Sequence, residues 1–286
     1  MWIKWQEAYD IFMAQFPEIT DAKTIENWFW AEMVPEKVGT RNGYQKEEVE
    51  SWIARIKTGI VALTLDDYKT CLKFAIESFY MEGFTKSDFM RGKQRDMGEF
   101  LTNQIQGKLG ELAVAKLLAS RGLTIELDFN VTGQIPSQDV TRVSIRSRVW
   151  DNPTAKVSIK TTKLKNVFLP IPEVETTLVD RQSDVYVLSQ VGLPPDHLIR
   201  VLKTENLDVL APVRTLIPDF GPVVCRVGGW ISRDDLVRTK LYTSDESESE
   251  LGIRFAKPNY VLTPNKLSQD WDQLCKKVYG GWEPRA

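Results

Sequence analysis

A single histidine, His197, stands in the 286 residues, and its isolation closes off several chemistries. A Ser-His-Asp hydrolase would need this imidazole as its base, yet no G-x-S-x-G precedes it. HEXXH and multi-histidine metal sites cannot be built, and "PPDHLIRV" does not resemble the hairpin of a ββα-metal nuclease. His197 reads instead as a surface residue at the edge of a strand. Cysteine is scarce too: Cys71, Cys225 and Cys275 lie far apart with no CxxC pair, which argues against a zinc knuckle or a disulfide framework and suits a reducing cytoplasm. No run of 18 apolar residues is present, so no membrane-spanning helix is expected. The opening "MWIKWQEAYD" has no apolar h-region, so no secretory signal is expected either. The Gly-Lys pair of "QGKLGEL" is not a P-loop: Thr102 stands where the first Gly belongs and Leu109 where Ser or Thr must follow the lysine.

What is present is enough for a core. Hydrophobic residues make up 42% and charged ones 27%, a globular balance rather than a disordered one. The net charge of −2 averages over local patches and says little by itself. Residues 1–97 read as a helical region: "WQEAYDIFMAQF", "AKTIENWFWAEM", "KEEVESWIARIKTGI" and "LDDYKTCLKFAIESFYMEG" space apolar residues by three and four. Trp28, Trp30 and Trp52 are expected as packing anchors of that layer; the sharper reading is contact with nucleic-acid bases. Residues 98–194 form the second region. A long amphipathic helix over about 98–120 stops at Arg121-Gly122 and carries small residues, Gly107 and Gly110 among them, for close packing on a sheet. Strands follow at 123–129, 143–150 and 156–162, then a short helix from Pro172 through "EVETTLVDR", then the apolar strand 184–191. Residues 195–286 add strands at "HLIRVLK", "VVCRVGGWI" and "IRFAKPNYVLT", a helix at "SRDDLV" capped by Ser232, an acidic loop "TSDESESE" and a terminal helix. The fold class is mixed α+β, a central mixed sheet flanked by helices with a helical N-terminal region.

Acids and one lysine converge in the second region. Glu111 faces inward on the long helix. Asp139 follows a turn at the mouth of a strand, with Asp128 a rival for its role. Lys160 comes 21 positions after Asp139, and Ser158 shares its strand face. An Asp, an x-Lys on the adjacent strand and a glutamate from the preceding helix make a pattern suited to Mg²⁺, which takes one or two carboxylates and keeps several waters.

On these residues the segment from about 98 to 191 resembles the PD-(D/E)xK nuclease superfamily, which includes most type II restriction endonucleases. Glu111 resembles its helix glutamate, Asp139 its aspartate and Lys160 its lysine. Gln138 rather than Pro precedes Asp139, and Ser158 stands where an acid is expected. The resemblance extends to a subgroup with Ser-x-Lys whose acid is moved to the following helix. Glu173, 13 positions after Lys160, is the first choice for that acid, and Glu175 the reserve. The resemblance implies a restriction-endonuclease-like core and a catalytic set of Asp139, Lys160, Glu173, Glu111 and Ser158. It implies Mg²⁺ on Asp139, Glu111 and Glu173 or Glu175, and hydrolysis of double-stranded DNA to 5′-phosphate and 3′-hydroxyl ends.

Local charge agrees. Between 140 and 166, Arg142, Arg146, Arg148, Lys156, Lys160, Lys163 and Lys165 face one acid, Asp151, which reads as a phosphate-tracking surface. Arg91, Lys93 and Arg95 would extend it. The expectation is a site-specific type II restriction endonuclease acting as a homodimer on a symmetric site. The alternatives are a repair, modification-dependent or transposon-end nuclease on the same core, and a DNA-binding protein that has lost catalysis, which Ser158 favours.

Overall fold

The structure, a computed structural model, describes residues 1–33, 36–38, 41–81, 96–131, 138–145, 149–205 and 207–284. The chain runs β1 (Trp2–Ile3), α1 (Trp5–Gln15), α2 (Ala22–Glu32), β2 (Glu36–Val38), β3 (Arg41–Gln45), α3 (Lys46–Lys57), β4 (Ile60–Leu63), α4 (Leu65–Tyr80) and α5 (Met97–Ser120). It continues through β5 (Leu123–Leu127), β6 (Val140–Ile145), β7 (Val157–Lys163), β8 (Leu169–Pro172), α6 (Val174–Thr177) and β9 (Val185–Val191). It ends with α7 (His197–Thr204), β10 (Val223–Ser232), α8 (Arg233–Leu236), β11 (Leu241–Tyr242), α9 (Ser244–Leu251), β12 (Asn259–Leu262) and α10 (Trp271–Val278). The mixed α+β class and the helical N-terminal region are as expected. No helix among the described residues is long and apolar enough to cross a membrane.

The central sheet has the order β4-β10-β9-β7. β7 and β9 are parallel, pairing Ser158 with Tyr186 and Lys160 with Leu188, while β10 is antiparallel to both β9 and β4. The core therefore draws on all three stretches of sequence: β4 comes from residues before 97 and β10 from residues after 195. Every residue of β9 is buried, which is why it is a near-continuous apolar run. β10 bulges between Val227 and Gly229. Gly229 has φ +144°, and a Cβ there would collide with Leu267 and the Ser268 carbonyl.

One face of the sheet is covered by α5, with α4 and α10 beside it. Ile105, Leu109, Ala113 and Val114 of α5 join Val157, Ile159, Val187 and Cys225 in one buried cluster. α5 can lie this close because of Gly110, where a Cβ would overlap the Thr161 side chain; Gly107 has no such constraint. The other face carries the aromatic layer of α1–α3 and the small sheet β11-β12-β8. In that layer Phe29 packs on Trp52 at 4.5 Å and on Trp5 at 4.8 Å between ring centroids. Trp28 and Trp52 are buried anchors as expected, but Trp30 is 66% exposed.

Four local expectations change. "HLIRVLK" is α7, not a strand, because its buried residues His197 and Val201 recur at four rather than two. "TSDESESE" forms α9, nucleated by a capping box in which Thr243 and Glu246 satisfy each other's backbone N–H. The strand expected at 143–150 is β6, which starts at Val140 paired with Leu127; residues 146–148 lie outside the described set. The helix expected from Pro172 is only α6, and Pro172 itself ends β8 against β12. Ser232 does cap α8, accepting from the Asp235 N–H at 3.2 Å.

Candidate active site at the free edge of β7

β7 is an edge strand of the central sheet, so its outer backbone N–H groups need partners. Asp139 supplies one. It sits just before β6, its N–H donates to the Val157 carbonyl at 3.0 Å, and its Oδ2 accepts from the Ile159 N–H at 2.5 Å. The residue before β6 thus brings a carboxylate to the β7 edge, beside the residue next to Lys160. Desolvation raises the Asp139 carboxyl above the usual range, the Ile159 hydrogen bond and the Lys160 and Lys108 charges oppose that, and Glu175 adds to it.

Lys160 points to the sheet face opposite α5. Its Nζ forms an ion pair with Glu175 Oε2, both side chains being about a quarter exposed. α6 holds Glu175 there, and Tyr186 of β9 locks α6 by donating its phenol hydrogen to the Glu175 carbonyl at 2.5 Å. Of the two glutamates considered, it is therefore Glu175 that reaches the lysine. Glu173 stands just before α6, where its carbonyl accepts from the Thr176 and Thr177 hydroxyls at 2.9 and 3.1 Å. Ser158 is half-buried two residues before Lys160 on the same strand face.

Glu111 is buried on α5. Burial first, and then the charge of Asp139, push its carboxyl up to about 8. Opposing that is a residue the sequence reading passed over, Lys108. Its Nζ donates to Glu111 Oε2 at 2.7 Å and to the Asp128 carbonyl at 2.6 Å. It also lies 4.9 Å from the Phe74 ring centroid and 5.1 Å from that of Phe129. The signal was available: Lys108 precedes Glu111 by three on a helix, so an inward Glu111 implies an inward Lys108. Asp128 is not a second Asp139, because its Oδ1 accepts from the Asn130 N–H in its own turn.

Asp139 thus stands between two pairs, Lys108–Glu111 on the α5 side and Lys160–Glu175 on the other face: its carboxyl feels Lys108, Lys160 and Glu175, and Glu111 feels Asp139. Burial raises both Glu111 and Asp139, and a neighbouring carboxylate adds to each, which makes this pair a functional-site candidate. Hard carboxylate oxygens are the protein ligands that a water-rich Mg²⁺ site takes. Among the described residues no three His, Cys, Asp or Glu side chains converge tightly enough to hold an ion by themselves.

The predicted DNA surface is described only in part. Lys163 and Lys165 are exposed. Arg142 is half-exposed, 3.9 Å from Glu126 and 5.6 Å from the Trp150 ring centroid. Arg91, Lys93, Arg95, Arg146 and Arg148 lie outside the described residues. His197 is not at a surface strand edge. It is buried, with Nδ1 2.5 Å from the Tyr68 hydroxyl and Nε2 3.3 Å from Thr102 Oγ1, and takes no part in this cluster. Comparison with protein-family models, with curated proteins and with solved structures gives no match.

Proposed function

We propose that the chain is a Mg²⁺-dependent endodeoxyribonuclease of the type II restriction kind, a cytoplasmic homodimer that hydrolyses double-stranded DNA at a specific site. One observation carries this reading. Glu111, Asp139, Lys160 and Glu175 come from α5, the residue before β6, β7 and α6, in the order the PD-(D/E)xK resemblance implies, and Asp139 bears electrostatically on Glu111 on one side and on the Lys160–Glu175 pair on the other. Bound Mg²⁺ would supply a Lewis acid for the phosphate and the leaving 3′ oxygen. Asp139 would hold it with Glu111 or Glu175. Lys160 Nζ would orient the attacking water and offset the charge that grows on the phosphate as the new P–O bond forms and the bond to the 3′ oxygen breaks. Lys108 would keep Glu111 in place.

A second reading, a DNA-binding protein without cleavage, is favoured by Ser158 in the place of an acid and by the ion pair that engages both Lys160 and Glu175. Plasmid digestion separates the two. The nuclease reading expects discrete fragments in Mg²⁺, none in EDTA, and a loss of about 10²–10³-fold in Lys160→Met. A smear, or cutting of methylated plasmid alone, moves the assignment to a repair or modification-dependent nuclease. Retention of plasmid without cutting supports the binder, and neither cutting nor retention rejects both.

A further inference from the structure

Three consecutive carbonyls just past β7 are each gripped by a side-chain N–H from elsewhere. Trp28 Nε1 donates to the Leu164 carbonyl at 2.8 Å, Asn27 Nδ2 to that of Lys165 at 2.9 Å, and Gln190 Nε2 to that of Asn166. Asn166 Nδ2 in turn reaches back to Thr162 Oγ1. Surface loops are ordinarily the least constrained part of a fold. This one is braced, and the side chains it turns outward, Lys163, Lys165 and Asn166, are exposed. Lys163 stands three strand residues beyond Lys160, about 10 Å along β7.

Two of the three grips come from α2. On that helix Lys23, Asn27 and Trp30 recur at i, i+4 and i+7, so they form one stripe. Trp30 is therefore one turn from the side chain that holds Lys165, and it is the exposed member of the tryptophan trio. The nearby acid Glu26 is paired with Lys23 at 2.8 Å. The helix that holds the loop thus exposes a tryptophan ring, and the loop past β7 exposes two ammonium groups, a combination complementary to a polyanion with an apolar face.

We propose that α2 and the 163–166 loop form one composite DNA-contact surface, in which Lys163 and Lys165 bind phosphates and Trp30 packs on a deoxyribose of the duplex backbone. This rests on the reading above in taking DNA as the ligand, and it assigns the N-terminal helical layer a part in binding. The test is fluorescence anisotropy of a short labelled duplex with the full chain in Ca²⁺ over a range of salt. Lys163→Ala and Lys165→Ala should each lower the slope of log affinity against log salt by about 0.9. Trp30→Ala should weaken binding about fivefold or more with the slope unchanged, and Trp30→Phe should keep most of the affinity. Unchanged affinity in Trp30→Ala overturns the proposal. So does a loss that tracks a change in subunit association by sedimentation, since Trp30 would then be a subunit contact. Wild-type protein with no affinity for duplex overturns both this and the nuclease reading. Binding that depends on Trp30 in a protein that never cuts plasmid sinks only the nuclease reading.

Discussion

His197 joins α4, α5 and α7 through Tyr68 and Thr102, and burial lowers its imidazole from 6.5 to about 4. The folded state therefore binds the proton less readily than the unfolded one. The contribution of His197 is complete above about pH 6.5 and is lost as pH falls toward 4, up to about 3 kcal/mol in all. Because no other histidine is present, NMR of the ring carbon-bound protons reads this one group: a midpoint near 4 is expected, and one near 6.5 would refute its burial. The surface-strand expectation for His197 failed for a simple reason, since a lone polar residue in a short apolar run carries no sign of which partners fold against it. Glu173 and Glu175 differ in the same way. Both fit a relocated acid by spacing, and only the turn taken by α6 and the Tyr186 hydroxyl decide which one reaches Lys160.

At the scale of elements, α5, β5, β6, β7 and β9 were legible because each has its own periodicity, a long run at three and four, alternation on half-buried strands, and an unbroken apolar stretch on β9, whereas β8, four residues long between β7 and α6, was not. α9 was not legible, being short enough that its capping box outweighs the pattern, and α7 was missed although its buried residues recur at four. α5 and β7 approach so closely at Gly110 that a Cβ there would overlap the Thr161 side chain. Gly110→Ala would have to push α5 off the strand that carries Lys160. A loss of about 1–3 kcal/mol in denaturant unfolding is expected, with a larger proportional loss of DNA cleavage than of DNA binding. A neutral or stabilising effect would mean that the helix and strand are not in the contact described.

Across the whole molecule, pairing between distant strands was the part no local pattern encodes. β4 and β10 come from opposite ends of the chain and lie side by side. Their junction with the aromatic layer is fixed by a buried ion pair: Arg226 of β10 donates from both terminal nitrogens to Glu32 of α2 at 2.6 and 2.7 Å, and its guanidinium lies 4.4 Å from the Trp28 ring centroid. Trp52 Nε1 adds a third donor to Glu32 at 3.1 Å. Arg226→Met or Glu32→Leu alone leaves a buried charge without its partner and should cost about 3–5 kcal/mol in urea unfolding. The double variant should cost much less than the sum of the two, and strict additivity would show that the pair does not fasten the layer to the sheet.

On the proposed reading Asp139, at the edge of β7 between Glu111 and Glu175, holds a divalent ion within reach of Lys160. Anomalous diffraction from crystals soaked in Mn²⁺ tests it most directly. A peak within bonding distance of Asp139, shared with Glu111 or Glu175, is the predicted result. Crystals whose only manganese lies elsewhere, with Lys160 still paired to Glu175 and Lys108 to Glu111, would contradict it.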